Sequence, residues 1–198
     1  MKNINIRITF IEELLGTCSN NPDIHAEYIA SKAPDAASTA EEIEAIGVDT
    51  VTEKGMTVSP RDEEGNPFLY DYQVKGFFKD GCQMLKKITG THCSTVKAFK
   101  KEIDGLLFPQ PRKIVLHLPE GTSIGRCQRP LRAQTAMGER IALSDSESCP
   151  SGTTCELTIC CLTDSMEKLV CECLNYGELR GIGQWRNSGK GRFTWEEI

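Results

Sequence analysis

The chain has 198 residues, a formal net charge of −5, 39% hydrophobic residues and 26% charged ones. A chain of this length buries roughly 70% of the surface its unfolded form exposes, so one core holds without staples or a structural metal. The negative total excludes a generally basic nucleic-acid coat. No stretch reaches the ~20 apolar residues of a membrane-spanning helix.

In chain order, residues 4–10 alternate, with Ile4, Ile6, Ile8 and Phe10 on one face, and predict a first strand. The start MKNINIRITF has no apolar signal-peptide core, so a cytoplasmic protein without a membrane partner is expected. Asn21-Pro22 reads as an N-cap with proline at the first helical position, opening a helix to about Ser31. Ser38 and Glu41 form a capping box for a second short helix ending near Gly47. These helices form an acidic insertion at about 17–58 within a single domain of 1–198, because their apolar content is too low for a separate core. Residues 35–64 carry nine acids against two bases.

PRDEEGNP at 60–67 is a loop. The strongest helical pattern follows over 73–88: Val74, Phe77, Phe78, Cys82, Leu85 and Ile88 keep the i, i+3, i+4 spacing, with Lys75, Lys79, Lys86 and Lys87 largely off that stripe. Residues 94–103 suggest a further helical piece and 114–118 a strand; Arg126, Arg129 and Arg132 read as a basic loop. A short strand at 140–143 precedes an alternating strand at 154–162 with Cys155, Leu157, Ile159 and Cys161 on one face. Asp164 and Glu167 form a capping box for a helix to about Leu179, and a strand at 192–195 closes the chain. This order predicts an α+β fold with helices on one face of an antiparallel sheet.

Ten cysteines invite a disulfide framework, but that inference needs a short secreted chain, and no C-x-x-C pair supports zinc. They read as reduced core cysteines, with a metal site or disulfides as the alternatives.

The segment from Gly181 to Arg192 lies between the last helix and the last strand. Gly181, Gly183, Gly189 and Gly191 permit close backbone approach to a ligand, and Arg186, Lys190 and Arg192 add charge. Trp185 offers a stacking face, and Asn187 and Ser188 add polar groups. The order matches neither the P-loop nor the dinucleotide fingerprint, and a glycine crossover needed for packing alone is the competing explanation.

The pattern G-x-G-x-x-R-N-S-G-x-G-x-F resembles the glycine-rich loop of the RAMP superfamily, which supplies CRISPR RNA-processing nucleases and the subunits that coat guide RNA. Two further segments are similar in the same order: Pro67–Lys79, where Lys75-Gly76 and Lys79 open the first helix, and Ser148–Thr153 before the alternating strand. The ending Gly181–Trp195 is similar to that of stand-alone RAMP-like proteins encoded by prophages. The resemblance implies a ferredoxin-like (RRM-like) sheet, and the favoured reading is that it binds RNA or a phosphate-bearing nucleotide without chemistry and without a cofactor or metal. It further implies a phage protein acting in the host cytoplasm against immunity, by sequestering a nucleotide signal or by mimicking a CRISPR subunit within a host defence complex. A homo-oligomer is compatible with it. The implied binding residues are Lys75, Lys79, Arg126, Arg129, Arg132 and the glycine loop. Two rivals stand beside this reading: a metal-independent endoribonuclease with His25 as its one candidate general base, and a protein–protein module using the acidic insertion.

Overall fold

The computed structural model describes residues 1–20, 56–135 and 138–198, with the side chains of 130–143 excepted. The helices expected at 21–31 and 38–47, and His25, lie outside the described residues.

Strand β1 (Lys2–Phe10) buries Ile4, Ile6, Ile8 and Phe10, as its alternation predicts. β2 (Leu14–Leu15) and β3 (Cys18–Ser19) follow, then β4 (Met56–Val58) and β5 (Phe68–Tyr70). Helix α1 (Asp71–Leu85) buries Val74, Phe77, Phe78, Cys82 and Leu85. It ends before Ile88, which is 53% exposed, so the last position of the expected stripe is not part of the core. α2 (Phe99–Leu106), β6 (Leu107–Gln110) and β7 (Lys113–Val115) lead into the long hairpin of β8 (Gly125–Thr135) and β9 (Gly138–Cys149). β10 (Thr154–Cys161), α3 (Asp164–Arg180) and β11 (Phe193–Glu197) complete the chain.

The main sheet has the order β11-β1-β10-β6, all antiparallel. With α1 between β1 and β6 and α3 between β10 and β11, this is the βαββαβ arrangement of a ferredoxin-like fold. Both helices cover the face that carries Ile4, Ile6, Ile8, Leu157 and Ile159. On the other face Arg7 pairs with Glu156 at 2.8 Å and with Glu196 at 3.0 Å. Phe193 of β11 links sheet to helix, its ring 6.0 Å from Phe10 and 5.3 Å from Phe77 between centroids.

A second sheet, β2-β9-β4-β3 with β8 on β9, stands beside the first. β3 and β4 pair antiparallel, and the Asn20 amide donates to the Met56 carbonyl, so the chain leaves for residues 21–55 and returns at one place. The basic segment expected to be a loop is strand β8, in register with β9 from Gly125↔Ser148 to Thr135↔Gly138. Pro130 argues against a central strand, but among the described residues β8 pairs only with β9, and proline is tolerated at such an edge. The N-cap of α3 is Thr163, whose side chain accepts from the Met166 amide; Asp164 and Glu167 lie inside the first turn instead of forming the expected box.

All ten cysteines are free thiols, seven of them buried and Cys127, Cys160 and Cys171 half-buried. Burial pushes the Cys155 thiol up to about 12 and the Cys161 thiol up to about 11. Cys82 and Cys93 hydrogen-bond to each other, which raises the Cys82 thiol. The thiolate is the reactive form. A thiol reagent at pH 8 should therefore label at most the three half-buried cysteines promptly in the folded protein and all ten after denaturation; fewer than ten in denaturant without reductant would reveal disulfides.

Candidate functional site

The three segments that carry the sequence resemblance converge on residues 11–17, the turn after β1. From the Ser148–Thr153 side, the Phe10 amide donates to the Thr153 carbonyl and the Phe10 carbonyl accepts from the Gly152 amide, the Ser151 hydroxyl donates to the Ile11 carbonyl, and Leu14 and Leu15 pair with Cys149 and Ser148. From the glycine loop, the Gly191 amide donates to the Glu13 carbonyl at 2.8 Å, and the Gln184 side chain donates to the Gly16 carbonyl at 2.9 Å. From α1, the Gln73 side-chain amide donates to the Thr17 hydroxyl while its oxygen accepts from the Tyr70 amide at the helix start.

A cleft of about 300 Å³ opens where these parts meet, walled by Thr17, Tyr72, Gln73, Gly76, Gly183 and Arg186 among others. Two glycines shape its loop wall. A Cβ on Gly181 would lie 2.6 Å from the Gly191 backbone, and one on Gly191 would lie 1.9 Å from the Ile182 carbonyl oxygen. The loop therefore crosses over itself, closed by the Ile182 amide donating to the Gly191 carbonyl. Trp185 holds a left-handed backbone at φ 54°, and Arg186, Asn187 and Ser188 make one 3-10 turn that ends at Gly189.

The loop's bases do not stand free. Arg186 donates to Asp80 at 2.6 Å, and Arg180 reaches the same carboxylate at 3.0 Å. Arg180 also donates to the Asn187 side-chain oxygen. Lys190 pairs with Glu13 at 2.8 Å; the bond raises the lysine and holds the Glu13 carboxyl below its ordinary range. Arg192 donates to the Glu178 carbonyl at 2.6 Å. These residues fasten the loop to α1, α3 and the β1–β2 turn.

Of the second basic group, Arg126 is held by Asp145 in a bidentate ion pair. Arg129 differs. Its guanidinium lies 4.2 Å from the centre of the Trp185 ring, and its Nε and Nη1 are buried without a hydrogen-bond partner among the described residues. The arginine segment and the glycine loop thus meet through Arg129 and Trp185. Arg132 faces Ile141 in the backbone register, and its side chain lies outside the described residues.

On α1, Lys79 pairs with Asp104 at 2.5 Å. Lys75 donates to the Asp104 carbonyl and sits 4.6 Å over the Phe108 ring, at the β6 side of the helix, where burial lowers its pKa. Neither lines the cleft. Sequence reasoning missed Glu13, Thr17, Gln73 and Asp80. Only Gln73 carried a local signal, as the N3 partner of a helix start.

No family model matches the chain, and no curated protein matches it. Among solved structures it is similar to a chain of the Type III-B Cmr-beta bound to cognate target RNA, at 12% identity and a TM-score of 0.59. That match covers 99% of this chain, which spans 60% of the other's length. It is also similar to Cmr6 from Pyrococcus furiosus, at 9% identity and a TM-score of 0.46, covering 98% of this chain and 97% of that one. The strand order, the helices on one face and the first of these likenesses agree: the chain has a ferredoxin-like fold, shared with that chain of the Cmr-beta assembly.

Proposed function

We propose that the chain binds RNA, without cutting it, where the glycine loop meets β8, at the Arg129–Trp185 surface beside the cleft. The observation that carries this reading is the stack of Arg129 on Trp185. A cation with two buried, unbonded donors lies against an aromatic face beside a glycine-rich loop. Leaving donors buried without partners is unfavourable, and a phosphate or base edge supplies the missing acceptors. A base can also share the Trp185 surface, because stacking on aromatic side chains is tolerant of sequence. The fold is shared with a chain of an assembly bound to target RNA, which favours the same ligand class. In this reading the protein is phage-encoded and acts in the host cytoplasm, by occupying a CRISPR complex as a subunit mimic or by withholding a nucleotide signal.

The test is Arg129→Met with a single-stranded RNA oligonucleotide. Losing a charged hydrogen bond costs about 1.5–3 kcal/mol, so affinity should fall about tenfold or more. Stability should hold or rise, because the substitution removes buried donors that lack partners. Unchanged affinity in the Arg129→Met protein would place the ligand elsewhere. Salt separates the two ligand forms: RNA binding weakens steeply with salt through counterion release, and a small enclosed nucleotide responds far less.

A further inference from the structure

We propose that a second surface, made by Lys87, Lys97, Lys100 and Lys101, takes the phosphate backbone of the same RNA and supplies most of its electrostatic attraction. This rests on RNA being the ligand. The argument begins with the pairing of charges. Around the cleft, Arg186 and Arg180 share Asp80, Lys190 pairs with Glu13 and Arg126 with Asp145. These carboxylates offset much of the positive charge a polyanion approaching there would meet.

The region between α1 and α2 is the reverse. Residues 81–101 contain five lysines and no acid, in a chain whose net charge is −5. Lys86, Lys87, Lys97, Lys100 and Lys101 are all exposed. Only Lys86 is tethered, donating to the Lys97 carbonyl at 3.1 Å and lying 5.6 Å from the Phe99 ring centre. The other four have no ion pair among the described residues. The carboxylate that reaches this segment, Glu172, is occupied by the backbone amides of His92 and Cys93. Exposed lysines without ion pairs among the described residues repel one another, and a row of phosphates relieves that repulsion.

The placement fits an extended ligand. His92 in this region meets Ser165 at the start of α3, whereas Arg180 at its end meets Asp80 and the glycine loop. Along α1, Asp80 at the cleft and Lys87 just past the helix end are roughly 10 Å apart. A strand of several nucleotides spans both surfaces.

The experiment compares the parent, Arg129→Met, and a variant carrying Lys87→Gln, Lys97→Gln, Lys100→Gln and Lys101→Gln, each binding an oligouridine across a range of salt. The four lysines are solvated side chains, and an unchanged unfolding midpoint checks the fold. Each phosphate contact on a single strand contributes about 0.7 to the slope of log affinity against log salt, so the slope should become shallower by about 3 in the lysine variant. In Arg129→Met it should change by no more than about 1. A lysine variant with the parent's slope, alongside a weakened Arg129→Met, overturns this inference and leaves the cleft reading standing. A weakened lysine variant with Arg129→Met unaffected does the opposite. A parent that ignores RNA but binds polyglutamate through these lysines overturns both, and marks the surface as a dock for an acidic protein.

Discussion

Replacing Gly191 by alanine is expected to destabilise the fold by about 3 kcal/mol or more, with much of the loop's ordered structure lost. Two effects add. The backbone there has φ 70°, which costs an L-residue about 1–2 kcal/mol. The new Cβ would also stand 1.9 Å from the Ile182 carbonyl oxygen, a backbone atom that cannot rotate away. Relief requires the crossing strands of the loop to part, which breaks the Ile182–Gly191 hydrogen bond and strains the Gly191 bond to Glu13. Gly189→Ala is the control. Its φ of 83° is equally unfavourable, but the nearest atom outside its neighbours is the flexible Arg192 side chain at 3.7 Å. It should cost about 1–2 kcal/mol. Urea unfolding of both variants gives the comparison. Equal losses would mean that the glycines serve backbone conformation alone and that the crossing does not fix the loop.

That contrast also shows what the sequence could convey. The alternation of β1 and β10 and the apolar stripe of α1 are local patterns, and each maps directly onto the buried face of an element. With the order of elements they were enough for the sheet and its helical cover. The glycine spacing marked the loop, but not its two kinds of glycine, because the difference lies in which backbone passes nearby. The ion pairs Arg186–Asp80 and Lys190–Glu13 join residues 106 and 177 positions apart, and no spacing rule reaches that far. Read locally, the loop's bases look like free phosphate ligands; folded, they are fasteners. Strand β8 was hidden for another reason. Its arginines and Pro130 carry no apolar alternation, because a hairpin that pairs along one edge needs no second buried face. Arg129 was singled out within a basic cluster, but nothing local separates it from Arg126, which finds Asp145.

The second large effect is expected at Phe193, two residues beyond Gly191. Its ring is 1% exposed and touches Phe10 and Phe77, so Phe193→Ala should cost about 3–5 kcal/mol. The glycine opposite makes the effect testable as a pair. A Cβ on Gly177 of α3 would lie 2.2 Å from the tip of the Phe193 ring, so Gly177→Ala alone should destabilise by about 1–3 kcal/mol. Once the ring is gone, the same methyl enters vacated space, and the usual helix preference for alanine over glycine, about 1 kcal/mol, is realised. Gly177→Ala should therefore change sign and stabilise the Phe193→Ala protein, giving a coupling of about 2 kcal/mol or more in the double-mutant cycle. Additive losses would mean that the ring is not seated on the helix glycine. The consequence reaches the cleft, because β11 is the only strand between the glycine loop and the end of the chain. With Phe193 seated, the Arg192 carbonyl accepts from the Ile11 and Glu12 amides, and the loop is held against the β1–β2 turn. Phe193→Ala should thus weaken RNA binding even where the protein remains folded, and Gly177→Ala in the double variant should recover part of the stability but not the binding, since the methyl on α3 leaves β11 unanchored.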